Sequence, residues 1–340
     1  MDREPQSSRR KVPAWLLPVL GYALSIASLV WVFHGFPLKE ALDDFRAQDW
    51  RYVTLAVASD LAIYLCGGWR WTILVRPVAR AGFWRAVQAI YIGLYANEIL
   101  PLRTGEVIRC YLMAHWNSLP MSLALSSAAI ERILDGIWLV IAFLVTAFFI
   151  ELPKGIVEGA RALAVLLLLL LGMVGFIMFR KHQAHAALSS SRWAVAWSHL
   201  VEGIHAMGNP GTLTLATLAS LLYLVLQIIP VWALMKGSDM DLSIWAASAV
   251  LIIIRLGTVI PNAPGNAGIY QAMCVLGLKL FDVPKSTAIS FSLTMFGVLT
   301  LPLLIGGFIA VELSGLKLHD IRHRARSSVK TAALSRPQAD

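Results

Sequence analysis

Charge is what this chain has least of. Only 14% of its 340 residues are Asp, Glu, Lys or Arg, against 58% hydrophobic, and mean hydropathy is +0.68. Soluble domains carry roughly 25% charged residues. A water-facing globule is therefore excluded, and an all-α polytopic membrane protein is expected. Cysteine is scarce too. Cys66, Cys110 and Cys274 each stand in an apolar run without paired spacing, which argues against a disulfide framework or a zinc knuckle. They read as small buried side chains. No G-x-x-x-x-G-K-[ST] or G-x-G-x-x-G stretch occurs, so no nucleotide engine is visible and no cofactor is expected. The net charge of +9 does not indicate nucleic acid. Most basic residues lie between hydrophobic runs, where membrane orientation accounts for them.

Long apolar runs are what the chain has instead. Ala14–Phe33, Tyr52–Trp69, Ser122–Ile150, Arg161–Phe179, Leu213–Met235 and Thr287–Glu312 predict six spanning helices. The first run is too long for a signal-peptide core and is expected to stay uncleaved. Residues 1–13 are polar and residues 313–340 basic. Between them, residues 14–312 form the expected transmembrane domain. Residues 180–211 are the one sizeable polar segment. There Trp193, Trp197, Leu200, Ile204 and Met207 recur at helical spacing, which predicts an amphipathic helix at the interface. His182, His185, His199 and His205 fall in the same segment without a thiol or acidic co-ligand at fixed spacing, so they read as a solvated face and no metal is expected. Trp15, Trp31, Trp50, Trp69 and Trp84 sit near span ends, as interfacial anchors do.

Two stretches break the pattern. Phe83–Tyr111 begins as an apolar helix, stops at Pro101 and restarts at Glu106. It carries Glu98, Arg103, Glu106 and Arg109, and charge at membrane depth is costly enough to require a cavity or a partner. The second break runs from Pro261 to Gly268. Ala86–Leu100 makes roughly 22 Å of helix at 1.5 Å per residue, short of a comfortable crossing. Both broken segments are therefore expected to be re-entrant hairpins. With both re-entrant, most of the 29 basic residues fall on one side, including those of the N-terminus, Arg70–Arg85, the 180–211 segment and the tail. The positive-inside rule then makes that side, and both termini, cytoplasmic. Residues 52–150 and 213–312 each read span, hairpin, long span, with opposite orientation. Inverted repeats with broken helices are the pattern of a transporter site.

The residues at the breaks suggest the chemistry. A helix restart offers free N–H groups that attract anions, and Glu106 stands where its carboxylate could cap the new helix. Arg103 and Arg109 offer guanidinium forks that suit phosphate or carboxylate. Arg255 leads into the second break and could complete the clamp from the other side. Gly265, Asn266 and Gly268 permit close backbone approach. The competing reading is that Glu98, Arg103, Glu106 and Arg109 pair among themselves and only stitch the hairpins together. Glu131, Arg132 and Asp135 fall at i, i+1 and i+4 on one helix and are read mainly as network builders. Asp60, in the middle of the second span, is a candidate for coupling.

With these residues in view, the chain resembles the lysylphosphatidylglycerol synthase transmembrane-region family over roughly Ala14 to Glu312. The resemblance rests on Asn97-x-x-x-Pro101-x-Arg103-x-Gly105-Glu106-x-x-Arg109, on Glu131-Arg132-x-x-Asp135, and on Pro261-x-x-Pro264-Gly265-x-x-Gly268. It adds Asn97 to the candidate substrate-binding residues. It implies lipid translocation or headgroup handling, with aminoacylated phosphatidylglycerol, polyprenyl-phosphate sugars or hopanoids as cargo classes, and a bacterial inner membrane. Two departures stand out. Asn266 follows Gly265 where the family has a second glycine, and Gln271 stands where a glutamate is frequent. Members that synthesise aminoacyl lipids carry a further soluble domain. This chain ends about 25 residues after its last span, so aminoacyl transfer is not expected, nor is any other enzymatic activity.

The leading expectation is a lipid flippase working by alternating access without ATP. The first alternative is a membrane glycosyltransferase using Asp43-Asp44 of the first loop. The second is a non-transporting partner that docks a lipid-synthesising enzyme through Trp193–Met207.

Overall fold

The computed structural model describes residues 16–34, 38–100, 104–150, 209–259 and 263–315, with the single positions Glu158, Val165, Ala206, Met207 and Ser327. The expected span Arg161–Phe179, almost all of the 180–211 segment, the N-terminus and most of the tail lie outside them. So do Pro101, Leu102, Arg103, Pro261 and Asn262.

The described residues form ten α-helices: α1 (Leu16–Phe33), α2 (Leu38–Arg46), α3 (Trp50–Val75), α4 (Phe83–Ile99), α5 (Gly105–Trp116), α6 (Met121–Phe149), α7 (Pro210–Gly237), α8 (Ile244–Gly257), α9 (Ile269–Lys279) and α10 (Lys285–Ser314). Four of them, α3, α6, α7 and α10, are long and apolar enough to cross a membrane. The fold is all-α and polytopic, as its composition requires. The loop between the first two expected spans contains α2. Leu38, Leu42 and Phe45 recur at helical spacing there, and Phe45 packs edge-on to Trp50 at 5.4 Å.

The helices fall into two units with the same neighbours. The central contact joins α3 to α7. Within the units, α3–α4 is matched by α7–α8, α4–α5 by α8–α9, and α5–α6 by α9–α10. Between them, α4–α10 is matched by α8–α6, and α3–α10 by α7–α6. The boundary chemistry repeats as well. Asp49 caps α3 by accepting from Arg51 N (2.9 Å), and Asn209 caps α7 by accepting from Gly211 N (3.0 Å). Ahead of α6 stands Ser118-Leu119-Pro120 and ahead of α10 Asp282-Val283-Pro284, each opening on a residue with positive φ (52° and 57°).

Each unit contains an antiparallel pair of short helices. In α4–α5, Gly82 N at the open end donates to Asn117 Oδ1 (3.2 Å). Near the closed end a Cβ on Gly105 would run into the carbonyl oxygen of Gly93 and the side chain of Asn97. Only glycine admits that approach. In α8–α9, Gly257 faces Met273 and Gly277 faces Val250. The four helices have 17, 12, 14 and 11 residues, so at 1.5 Å per residue the longest reaches about 26 Å, short of the ~30 Å hydrocarbon layer.

The two pairs meet at their closed ends. The short 3-10 turn Pro264–Asn266 packs on α4. A Cβ on Gly265 would lie 2.6 Å from Glu98 Oε2. Positive φ at Gly265 (66°), Asn266 (55°) and Gly268 (86°) bends the chain there, a conformation that glycine and asparagine tolerate. Ala263 N donates to Ser25 Oγ (3.0 Å), anchoring the turn to α1.

Candidate functional site

The charges of the first unit close into a ring. Glu131 Oε1 and Oε2 accept from Arg70 Nε (3.3 Å) and Arg109 Nη1 (2.9 Å). Arg109 Nε donates to Glu106 Oε2 (3.0 Å), and Arg132 Nη2 to Glu106 Oε1 (3.3 Å). Arg132 Nη1 donates to Asp135 Oδ2 (3.4 Å), and Arg70 Nη1 to Asp135 Oδ1. Three arginines alternate with three carboxylates, drawn from α3, α5 and α6.

Local sequence explains each placement. Glu106 and Arg109 are one turn apart on α5, and Glu131, Arg132 and Asp135 share one side of α6. Arg70 belongs to α3 because Trp71, Ile73, Leu74 and Val75 behind it are buried and carry the helix on. Aromatic faces support the guanidinium groups. Arg109 lies 4.9 Å from the centroid of Trp71, and Arg70 lies 4.5 Å from that of Tyr223. Trp71 is fixed in turn by its indole N–H to Ser127 Oγ (2.8 Å). Ser220 Oγ on α7 accepts a further bond from Arg70 (3.1 Å).

The ring has a dry half and a wet half. Arg70, Arg109 and Glu131 are buried, Glu131 completely. The side chain of Arg132 is 52% exposed and that of Glu106 39%. The dry half holds two arginines against one glutamate, so its excess positive charge is balanced only by carboxylates on the rim. Arg109 Nη2 and Thr104 Oγ1 are buried without a hydrogen-bond partner. Buried donors are rarely left that way. A cavity of about 20 Å³, lined by Arg70, Glu106, Arg109, Glu131, Arg132 and Tyr223 among others, has room for about one water.

Five of the expected residues thus come together: Glu106, Arg109, Glu131, Arg132 and Asp135. Asn97 has a different role from the expected one. Its Oδ1 accepts from Gly105 N (2.8 Å) and caps the restarted helix, so Glu106 turns to the arginines instead. Gln271 does the same at the second break, accepting from Gly268 N (2.7 Å). An amide serves that cap as a carboxylate would. Glu98 lies against Gly265. Arg255 does not join the ring. It is exposed in the last turn of α8 and bonds Gln227 of α7. Asp60 is buried away from the ring with Tyr64. Arg103 lies outside the described residues. Asp43 and Asp44 are exposed on α2, with Asp43 3.8 Å from Arg46.

Arg70 is the residue that sequence reasoning missed. It was expected among the loop charges because it ends the hydropathic run. The signal was present in the apolar residues that continue from Trp71 to Val75. Tyr223 and Ser220, inside the apolar α7, gave no such signal.

The sequence profile of the family described as "Lysylphosphatidylglycerol synthase TM region" matches residues 19–307. A UPF0104 membrane protein of Methanocaldococcus jannaschii is 22% identical over 263 residues, covering 71% of this chain and 78% of the relative. A second from that organism is 21% identical over 220 residues, covering 61% and 92%. One from Methanothermobacter thermautotrophicus is 20% identical over 306 residues, covering 80% and 87%.

Proposed function

As the chain belongs to the lysylphosphatidylglycerol synthase transmembrane-region family, we propose that it is a lipid flippase whose charged ring takes the headgroup of a phospholipid or isoprenoid phosphate between leaflets. The observation that carries this is the dry half of the ring, with two buried arginines, one of them with a spare N–H, against one glutamate. A phosphate displacing a rim carboxylate would find two guanidinium forks already desolvated and aromatic-backed. At about 20 Å³ the cavity is too small for a headgroup, so one enters only when the α4–α5 pair moves relative to α6. The matched neighbours of the two units and their short helix pairs support re-entrant hairpins in inverted repeats, with alternating access around their meeting point.

The test is lipid translocation in liposomes with fluorescent phosphatidylglycerol and polyprenyl-phosphate, quenched from outside. Wild-type protein should expose inner-leaflet lipid to the quencher. Arg132→Gln, which removes a half-exposed rim charge and leaves the buried pairs in place, should slow exposure severalfold without loss of folded protein. Wild-type liposomes that behave like protein-free ones with both lipids would overturn the reading.

A further inference from the structure

Asp60 differs from every carboxylate of the ring. Each of those faces two arginines. Asp60 is 6% exposed, and the Tyr64 hydroxyl donates to its Oδ2 (3.1 Å). Among the described residues that is its one side-chain partner, and no charged side chain of theirs faces it. The titratable groups around it are Tyr64 on its own helix, Tyr91 from α4 and Tyr270 from α9. Tyr223 of α7 stands near Tyr64 and lines the same cavity. α6 and α10 contribute none among the described residues. Among the described residues, every facing group is a neutral hydroxyl. A carboxyl at this depth without a counter-cation is neutralised by a proton, the one cation that needs no further ligand.

Tyr64 connects this carboxyl to the ring. It lines the cavity shared by Arg70, Arg109 and Glu131. Its ring lies 4.7 Å from that of Tyr91, which belongs to the α4–α5 pair. Behind Tyr91 stands Gly306 of α10, where a Cβ would lie 2.6 Å from Tyr91 Cε1. The carboxyl, the cavity and the short helix pair are thus in mechanical contact through two phenol rings tilted 47° to one another.

We propose that Asp60 is a proton-binding site, loaded from the cavity through Tyr64, whose occupancy sets the position of the α4–α5 pair. In the loading step the Tyr64 O–H proton passes to Asp60 Oδ2 while the phenol oxygen takes a proton from hydronium in the cavity. Two O–H bonds break, one in the phenol and one in the hydronium, and two form, one at Asp60 Oδ2 and one at the phenol oxygen. Tyr64 ends neutral, Asp60 ends as the acid, and the hydronium ends as water. The closed, dry arrangement favours the acid, and an arrangement that wets the site favours the carboxylate. Proton release and opening are therefore the same event seen from two ends. Proton binding stands by itself; its coupling to lipid movement rests on the flippase reading.

Infrared difference spectroscopy of the purified protein between acid and alkaline pH tests the site without any lipid assay. Wild type should show a reversible protonated-carboxyl band that is missing in Asp60→Asn. In Tyr64→Phe the band should remain but appear more slowly. Asparagine keeps the shape of the side chain, and melting and monodispersity confirm that the variants are folded. A wild-type spectrum identical to that of folded Asp60→Asn would overturn the proton site. In liposomes, an imposed pH gradient should change wild-type lipid translocation severalfold and leave Asp60→Asn unresponsive at the ungraded rate. Lipid movement in wild type with no Asp60 band sinks the proton site and spares the flippase. The band with no lipid movement supports the site and counts against the flippase.

Discussion

The two four-helix units have the same neighbours, similar helix lengths and a break in the same place, yet their interiors differ. In the first unit Arg70, Glu131 and Arg109 occupy the space between α3, α5 and α6. In the second the corresponding helices bury Met235, Cys274, Phe291 and Met295. The second unit shows what the architecture needs. Two helix restarts are satisfied by side-chain amides, Asn97 in one unit and Gln271 in the other, and glycine lets the paired helices touch. Charge is not on that list. The second hairpin packs without such a ring among the described residues, whereas the first carries the ring's desolvation cost.

The sharpest way to break this comparison is to remove Glu131. Glu131→Ala leaves two buried arginines without their shared carboxylate and should destabilise by about 3–5 kcal/mol, read as a large fall in melting temperature in detergent. A small fall would mean that water enters the dry half, and the contrast between the units would soften. Gly105→Ala comes next. Its Cβ meets the backbone of α4, and overpacking against a surface that cannot yield costs about 1–3 kcal/mol. At the other break, Gly265→Ala meets the Glu98 carboxylate and a positive φ, for about 1–2 kcal/mol; a larger effect than Gly105→Ala would make the second turn the stiffer one.

The amide caps give the most direct likeness between the units. Asn97→Ala and Gln271→Ala should each cost about 1 kcal/mol, and equal losses in chemical denaturation would sharpen the equivalence of the breaks. The smallest effect lies outside the membrane segments. Lys236 holds the carboxyl of the exposed Asp241 below the ordinary aspartate value through a hydrogen bond and its charge. A lowered folded-state value means that the stabilisation is present above the ordinary aspartate range and is lost as pH falls through it. Any melting difference between wild type and Asp241→Asn should be slight at neutral pH and vanish in acid.

Much of this was legible in the sequence. Pro101 and the Pro261–Gly268 stretch announced the breaks because proline and glycine stop helices by fixed local sterics. Glu106, Arg109, Glu131, Arg132 and Asp135 stood out because charge in an apolar run has few causes. Arg70 was lost for the complementary reason. At the edge of a run an arginine looks like a loop charge, and only the acids of α6, 61 and 65 positions away, keep it inside. Arg255 misled in the opposite direction: nothing in its neighbourhood along the chain shows that it faces Gln227 and not the ring.

The sequence by itself determined the class of the protein, the apolar character of its long helices and the positions of its breaks, because hydropathy and backbone sterics act over a few residues. The tertiary structure decided which charges pair, that the two breaks meet at Glu98 and Gly265, and that Asp60 stands apart from every described arginine. Those outcomes depend on which helix faces which, and side chains with the same local spacing reach a partner or miss it according to a packing that no window of sequence contains.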